Sequence, residues 1–174
     1  MNTVIPELSP RDEIEHDPRI WHFAFHGIPD LPELLFQPNI PLHFGYFYDV
    51  ISDKSQGVTE AVRQRYVKSY AAPILLRQGF EFYRSFDAEM KDNTAAQQTL
   101  ETAILYLRGE QEIGDLVAYL KGFWAAGINK AEASRVKGAG HFCPDEQLAS
   151  TWTAISRFIE ERFSSNNQER TKHE

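Results

Sequence analysis

Two kinds of apolar pattern alternate between residues 102 and 164, and this alternation restricts the fold more than any other feature of the sequence. The stretch "TAILYLRGEQE" is a short apolar run that stops at Gly109, which is typical of a buried strand in a parallel sheet. Next, "DLVAYLKGFWAAG" predicts an amphipathic helix whose apolar stripe is Leu116, Leu120 and Phe123. A second strand over "KAEASRVKGAG" and a helix over "PDEQLASTWTAISRFIEERF" complete a β-α-β-α unit, for which a right-handed crossover is expected. The apolar stripe predicted for this last helix is Leu148, Trp152, Ile155 and Ile159.

This unit requires more strands than the chain supplies. Two parallel strands leave open edges, and parallel sheets are normally larger and buried on both faces. Residues 21–98 are rich in aromatic side chains at helical spacing and contain no convincing strand, with helices expected near Asp30, after Thr59 and over "LLRQGFEFYRSFDAEM". We therefore predict a partial α/β fold: an irregular lead-in, a helical domain and the end of a mostly parallel sheet. The predicted boundaries are 1–20, 21–98 and 99–164, followed by a disordered tail at 165–174.

Composition restricts the partners and the compartment. The chain has 174 residues, of which 42% are hydrophobic, so it is long enough to form a core. Its 18 basic residues are scattered among 25 acidic ones, which argues against nucleic acid or an anionic membrane surface as the main partner. The first 20 residues lack an apolar run, the longest apolar stretch, "YAAPILL", is too short to span a bilayer, and Cys143 is the single cysteine. We expect a soluble cytoplasmic protein without a disulfide.

The segment "VKGAGHFCPDEQ" is the clearest functional signal. A strand-like run stops at Gly-Ala-Gly, His141 follows, and a proline and two acidic residues then begin a helix. Hydrolases present a catalytic base in this way. A base needs a nucleophile to act with, yet no Asp, Ser or Cys in the sequence lies between small residues in a "G-x-[DS]-x-G" elbow. The sequence therefore predicts a base without its nucleophile.

The order of "ILYLRGEQE" and "GAGHF" resembles the last third of the α/β-hydrolase fold, in particular the branch of epoxide hydrolases and haloalkane or fluoroacetate dehalogenases. The resemblance covers roughly residues 1–163. It implies that His141 is the base, that Glu112 in "GEQE" orients its imidazole, and that residues 21–98 are a helical cap. Some members carry the acid at a position that falls near Asn2, which is not an acid, so the assignment to Glu112 stays open.

Two cap motifs of this branch also have counterparts. "FEFYRSF" resembles the cap motif whose tyrosine polarises the epoxide oxygen or the leaving halide, which implies this role for Tyr83. "RIWHFAF" is similar to a cap entrance segment that lines the leaving-group pocket, which implies Trp21, His22 and Phe23 as substrate-binding residues. The implied chemistry is a covalent ester that water activated by the histidine then hydrolyses, without a cofactor or a metal.

The first half of the fold in this branch has no counterpart in the sequence. Members of the branch begin with five or six strands, an "HG-x-P" oxyanion loop and the nucleophile elbow. Residues 26–29, "HGIP", match the oxyanion motif in letters, but no strand-like run precedes them. We therefore expect a chain that begins halfway through a hydrolase and is inactive alone, and the partners considered for it are a homodimer copy or a complementing N-terminal half.

Several alternatives stay open. The missing elbow could carry a serine, which would indicate an ester hydrolase, or the chain could be a non-catalytic interaction module derived from a half-fold. His141 could be an ordinary loop histidine, and Tyr83 a core aromatic. His22 and His26, four residues apart, could share a zinc ion, although no third ligand is evident. Cys143, two residues after His141, is expected to be a half-buried thiol.

Overall fold

The computed structural model of the chain describes residues 20–53, 57–96, 99–112 and 114–170, and for residues 94 and 163–170 it describes the backbone alone. Nearly all of the predicted lead-in and residues 171–174 lie outside the described residues. Two parts follow each other along the chain. The helical region comprises residues 20–96, and the strand–helix unit comprises residues 99–170.

Residues 20–53 and 57–96 of the helical region form six helices. They are α1 (His22–Gly27), α2 (Leu31–Phe36), α3 (Ile40–Ile51), α4 (Glu60–Ser69), α5 (Pro73–Arg84) and α6 (Phe86–Ala95), with a 3-10 turn at Gln37–Asn39 between α2 and α3. A proline lies in the first turn of α2, α3 and α5, where its missing N–H leaves no helical hydrogen bond unmade, so these helices begin where the sequence places a proline.

Two helices in this region differ from the sequence prediction. The pattern of residues 40–51 indicates only an aromatic segment, whereas these residues form the complete helix α3. The single helix expected over "LLRQGFEFYRSFDAEM" is divided at Ser85, whose hydroxyl donates to the Phe82 carbonyl at 2.9 Å and contacts the Glu89 carboxylate at 2.6 Å. Serine competes with the helical backbone for hydrogen bonds in this way, so a boundary forms there.

Helix α5 is the centre of the helical region. Its residues Leu76 and Phe80 are almost fully buried against Ile40, and α1 and α2 both pack on it. At its end, the Arg84 guanidinium donates to both oxygens of Glu33, at 2.7 and 2.9 Å, and to the Ile28 carbonyl at 2.9 Å. A two-bond arginine–carboxylate pair is directional, so it fixes α2 and the turn before it against α5.

The strand–helix unit has the predicted β-α-β-α order. Its elements are β1 (Ile104–Gly109), α7 (Leu116–Ala125), β2 (Ala131–Val136), the short helix α8 (Cys143–Glu146) and α9 (Leu148–Arg170). The two strands pair in parallel, with Ile104 opposite Ala131 and Gly109 opposite Val136. At the start of α7, the carboxylate of Asp115 accepts a hydrogen bond from the backbone N–H of Val117, which caps the helix.

Helices cover both faces of this small sheet. One face packs against α7 through a cluster that contains Tyr106, Tyr119 and Phe123. The other face packs against α8 and α9 through a cluster that contains Leu107 and Val136. Successive residues of β1 therefore enter opposite cores, as the alternation of side chains along a strand requires.

The prediction for the last helix is wrong in two details, its continuity and its buried stripe. Gln147 divides it into α8 and α9. The backbone of α9 is helical to Arg170, which lies within the predicted tail of 165–174. Leu148 and Trp152, expected on its buried stripe, are 70% and 64% exposed. The buried side instead carries Thr151, whose hydroxyl donates to the Cys143 carbonyl at 3.0 Å and sets the rotation of the helix.

The sheet is open at its edges. Within the part of the chain that the structure describes, β1 and β2 pair only with each other, so each strand has one edge without a neighbouring strand. Among these same residues, no helix combines the length and the apolar composition that a membrane crossing would require.

Candidate active site

The loop after β2 carries His141. A turn at Gly138, whose φ of 70° favours glycine, redirects the chain, and Ala139 is completely buried beneath the loop. The backbone N–H of His141 donates to the Ile51 carbonyl at the end of α3, at 3.0 Å, while its side chain remains 35% exposed. The loop is thus held by the helical region, and the imidazole lies near the surface.

Glu112, for which the resemblance implies the orienting role, lies next to His141. The Nδ1 atom of His141 is 3.2 Å from Oε1 of Glu112. A hydrogen bond from an Nδ1–H group to this carboxylate would leave the basic lone pair of the ring on Nε2. Both residues follow strands of one parallel sheet, so the ends of β1 and β2 bring together side chains that are 29 positions apart. The arrangement is that of an imidazole oriented by an acid.

Arg108 holds the other side of the Glu112 carboxylate, and sequence reasoning did not find it. Its Nη2 atom is 3.0 Å from Oε2 of Glu112, and its guanidinium lies over the Tyr119 ring, 4.5 Å from the ring centroid. The Arg108 side chain is only 7% exposed. A charged residue inside the apolar run "ILYLRG" was the available signal, because an arginine inside a buried strand requires an acidic partner.

Gly109 permits the close approach of β1 to the His141 loop. A Cβ atom there would lie 2.0 Å from the Gly140 carbonyl oxygen and 2.5 Å from that of Ala139, both of which are backbone atoms. Only a residue without a side chain fits this position. Glycine is needed at residue 109 because of this lack of space for a side chain, and not because of a left-handed backbone conformation.

We expect Gly109→Ala to lower the free energy of unfolding by at least about 3 kcal/mol, because the backbone must move to remove the overlap. Gly45→Ala is the matched control. Gly45 lies inside α3, and a Cβ atom at this residue would meet no other atom within 4 Å, so alanine there should stabilise the chain by up to about 1 kcal/mol. Urea unfolding of both variants measures the difference, and equal midpoints would contradict the proposed close packing.

The four aromatic residues predicted for the substrate pocket form one group in the helical region. The ring centroid of Tyr83 is 5.8 Å from that of His22 and 5.4 Å from that of Phe23, and Trp21 lies 6.1 Å from His22. Burial raises the pKa of the Tyr83 phenol to about 12. The phenol is therefore neutral at physiological pH and can donate a hydrogen bond to a developing negative charge.

Two buried histidines adjoin this group. His26 and His43 are 3% and 6% exposed, their ring centroids are 5.1 Å apart, and His26 lies 4.7 Å from Tyr83. Neither ring nitrogen of His26 has a hydrogen-bond partner among the described residues. Burial, followed by the nearby His43 and His22, lowers the pKa of His26 to about 3, and burial, followed by His22, lowers the pKa of His43 to about 4.

The zinc alternative gains no support from this arrangement. His22 and His26 are neighbours, with ring centroids 5.5 Å apart. Within the ranges that the structure describes, however, no three histidine, cysteine, aspartate or glutamate side chains are grouped so as to hold a metal ion. Sequence reasoning missed His43, for which the only signal was a polar residue inside the aromatic stretch "PLHFGYF".

The structure also shows the surroundings of Cys143 and of the "HGIP" stretch. Cys143 is 4% exposed and its thiol donates to the Gly140 carbonyl at 3.4 Å. Burial raises its pKa to about 11, so the thiol stays protonated and is not a nucleophile at neutral pH. The "HGIP" stretch lies at the end of helix α1, with its histidine buried among aromatic rings, and not after a strand.

Comparisons with known proteins give similar structures but no similar sequences. No protein-family model matches the sequence, and neither does any curated protein. The structure of Cfl2 from Burkholderia cenocepacia matches with a TM-score of 0.77 and 24% identity, over 91% of this chain and 55% of that chain. ALR0039 from Nostoc sp PCC 7120, provisionally described as an alpha/beta hydrolase, matches with a TM-score of 0.73 and 21% identity, over 90% and 55% of the two chains. The Cif epoxide hydrolase from Acinetobacter nosocomialis matches with a TM-score of 0.70 and 21% identity, over 80% and 44%.

These likenesses establish the fold. The chain has part of an α/β-hydrolase fold, which confirms the predicted fold class, and it spans about half the length of the solved structures that it matches. At this level of identity the comparisons concern architecture, and function has to be argued from the site.

Proposed function

We propose that the chain is the cap and the C-terminal core segment of an α/β hydrolase that opens an epoxide or a carbon–halogen bond through a covalent ester. The observation that carries the proposal is the pair of His141 and Glu112 at the ends of two parallel strands, with Nδ1 of the imidazole 3.2 Å from the carboxylate and Nε2 on the other side of the ring. This is the geometry that a water-activating histidine requires.

The proposed reaction has two steps. A carboxylate attacks a carbon of the epoxide, an ester bond forms, the carbon–oxygen bond breaks, and the departing oxygen takes the proton of the Tyr83 phenol. Water then loses a proton to Nε2 of His141 and attacks the ester carbonyl, and the intermediate collapses to the free carboxylate and the diol. The proton held by the imidazolium returns to the Tyr83 phenolate through solvent, which restores both groups. With a haloalkyl substrate, the halide leaves in the first step and an alcohol in the second.

The helical region supplies groups suited to the first step. Burial raises the pKa of the Tyr83 phenol further above neutrality, the rings of His22 and Phe23 pack against it, and Trp21 packs against His22. A neutral donor in an aromatic environment favours a developing alkoxide or halide without attracting a permanent anion. An epoxide hydrolase is among the structures that share this fold.

The nucleophile has to come from polypeptide outside these 174 residues, because the sequence contains no elbow motif. The open edges of the sheet are where its strands would add. Apolar side chains of the helices that cover the sheet are also exposed, among them Val117 and Trp124 on α7 and Leu148 on α9. Exposed strand edges and apolar groups indicate a missing neighbour. We propose that this neighbour is a complementing N-terminal half of the same fold.

We expect residues 1–174 alone to show no hydrolysis above the rate in buffer. Fused behind an N-terminal half that contains a "G-x-D-x-G" elbow, the same residues should hydrolyse a small aryl epoxide or a haloacid, which product analysis by gas chromatography would measure. The fusion with the elbow Asp→Asn change is the control for background. Nucleophile-dependent turnover by 1–174 alone, or a folded fusion without either activity, would contradict the proposal.

Two other functions remain as alternatives. An ester hydrolase would have a serine in the elbow, and a fusion with "G-x-S-x-G" that cleaves a nitrophenyl ester would favour it. A non-catalytic interaction module is favoured by the exposure of Leu148 and Trp152 on α9. Such a module would cover its apolar face by forming a homodimer. Size-exclusion chromatography with light scattering would then show a stable dimer of 1–174, whereas the hydrolase proposal gives no such species.

A further inference from the structure

We propose that Glu146 is a positioning residue for His141 and that it fixes the His141 loop to the end of α3. The Glu146 side chain is buried, and both of its oxygens accept backbone hydrogen bonds. This inference rests on the proposed role of His141 as the base. Glu146 does not contact the reacting atoms, so it acts through the loop.

The carboxylate of Glu146 binds the peptide groups on both sides of His141. Its Oε2 atom accepts from the N–H of Gly140 at 2.7 Å, and its Oε1 atom accepts from the N–H of Phe142 at 2.8 Å. Hydrogen bonds to a charged acceptor are short and strong, as these are. The backbone immediately before and after the catalytic imidazole is therefore fixed by one buried side chain.

The same carboxylate reaches the helical region. Oε2 also accepts from the N–H of Asp53, at 2.7 Å, across 93 positions of sequence. Asp53 is 2% exposed and is further held by a contact between its carboxylate and the side-chain amide of Gln111. Two residues earlier, the Ile51 carbonyl accepts from the N–H of His141. The segment 51–53 and the His141 loop are thus joined by hydrogen bonds in both directions.

Gly140 makes this junction possible. A Cβ atom at this residue would lie 2.6 Å from the backbone nitrogen of Asp53 and 2.8 Å from the carbonyl carbon of Ser52. A side chain here would push the segment 51–53 away and separate Asp53 from Glu146. Gly140 leaves room for the segment 51–53, and Glu146 binds that segment through the N–H of Asp53, so both residues hold the His141 loop against the end of α3.

Through α3, the junction links the two predicted parts of the site. Phe47 in α3 lies 4.8 Å from the His22 ring and 6.0 Å from the Trp21 ring, measured between centroids. Ile51, one helical turn later, holds the backbone of His141. A rigid helix that touches the aromatic group at one turn and the base at the next sets the distance between them. Glu146 fixes the second of these contacts.

Hydrogen exchange measured by NMR on the full 174-residue chain tests this proposal. In the unmodified protein, the amides of Asp53, Gly140 and Phe142 should be among the protected ones, and a low-field proton signal should report the hydrogen bond from His141 Nδ1 to Glu112. Rapid exchange of these three amides in the unmodified chain would by itself overturn the proposal.

The variant Glu146→Gln should make these three amides exchange about 10- to 100-fold faster, because an amide cannot offer two charged oxygens to three N–H donors. The low-field His141 signal should broaden or disappear, which a purely local packing change would not cause. Glu146→Asp, which keeps the charge but is shorter, should give a smaller effect on both readouts and serves if Glu146→Gln does not fold.

Asp145→Asn is the matched control, because it makes the same charge change in the same helical turn. The Asp145 carboxylate accepts from the Tyr66 hydroxyl at 3.1 Å. Its replacement should leave the three amides and the His141 signal unchanged. Equal effects of Asp145→Asn and Glu146→Gln, or an unchanged His141 signal in Glu146→Gln, would overturn the proposal. Since neither readout needs turnover, a failure of the proposed hydrolysis would be seen separately, in the fusion assay.

Discussion

Acidification from pH 7 to pH 5 is expected to lower the free energy of unfolding by about 4 kcal/mol, because two histidines are buried in the neutral form. The pKa of His26 is about 3 and that of His43 is about 4, against 6.5 for an ordinary histidine. Between pH 6.5 and pH 4 the unfolded chain therefore binds more protons than the folded one. Each histidine then contributes about 1.4 kcal/mol per pH unit.

The direction of the effect follows from the environment of these rings. A proton on His26 would place a charge in a buried site between His22 and His43, with Phe80 and Tyr83 on other sides. None of these neighbours supplies a compensating negative charge. The contribution of the two neutral histidines to the free energy of unfolding is fully present above pH 6.5, and it is lost as the pH falls towards their folded-state pKa values. The loss should begin in the helical region, which contains both residues.

Urea unfolding at pH 7, 6 and 5, followed by fluorescence, measures this dependence. His26→Phe keeps an aromatic ring in an aromatic site and removes one titrating group, so it should reduce the loss between pH 7 and pH 5 by about half. Tyr83→Phe is the control from the same cluster, since the pKa of Tyr83, about 12, lies far outside this range. An unchanged pH dependence in His26→Phe would show that His26 is not the group responsible.

Replacement of His141 by glutamine is expected to lower kcat of the active fusion about 1000-fold. Glutamine keeps hydrogen-bonding groups of similar reach but cannot take a proton from water, so the second step of the proposed reaction stops. The first step does not need the imidazole, so attack by the elbow aspartate should still occur. The affinity for substrate should change little, because the aromatic group in the helical region is left intact.

Cys143→Ala provides the control for a change near the same loop. The Cys143 thiol is buried and protonated, and it donates to the Gly140 carbonyl. Its removal should leave kcat within a few-fold of the parent fusion. A loss of activity in Cys143→Ala as large as in His141→Gln would indicate that the loop geometry, and not the imidazole, limits the reaction.

The sequence predicted the strand–helix unit well because each boundary there has a local cause. Gly109 ends β1, Asp115 caps α7, and the alternation of Leu105, Tyr106 and Leu107 between two cores follows from strand geometry. The errors arose where tertiary contacts determine which face of a helix is buried. Helix α9 is rotated by the hydrogen bond of Thr151 to the Cys143 carbonyl, and hydropathy alone favoured Trp152 on the inside.

For the candidate site, the sequence located residues that follow strands and missed residues that support them. The resemblance to the hydrolase branch pointed to His141 and Glu112, and the two parallel strands bring both residues to one edge of the sheet. Glu146 looked like an ordinary acidic residue in the first turn of a helix. Its role depends on Asp53, which is 93 positions away, so no local pattern could have revealed it. The burial of His26 and His43 likewise depends on helices that meet only in the folded chain.

The most direct test of the proposed function is the intact mass of the His141→Gln fusion after incubation with an epoxide. The proposed mechanism predicts a stable increase equal to the mass of one substrate molecule per chain, located on the elbow aspartate, with no such increase in the Asp→Asn variant. The parent fusion should turn over and keep no adduct at the end of the reaction. A His141→Gln fusion that turns over normally, or that neither turns over nor gains mass although it is folded, would contradict the assignment of His141 as the base that clears a covalent ester.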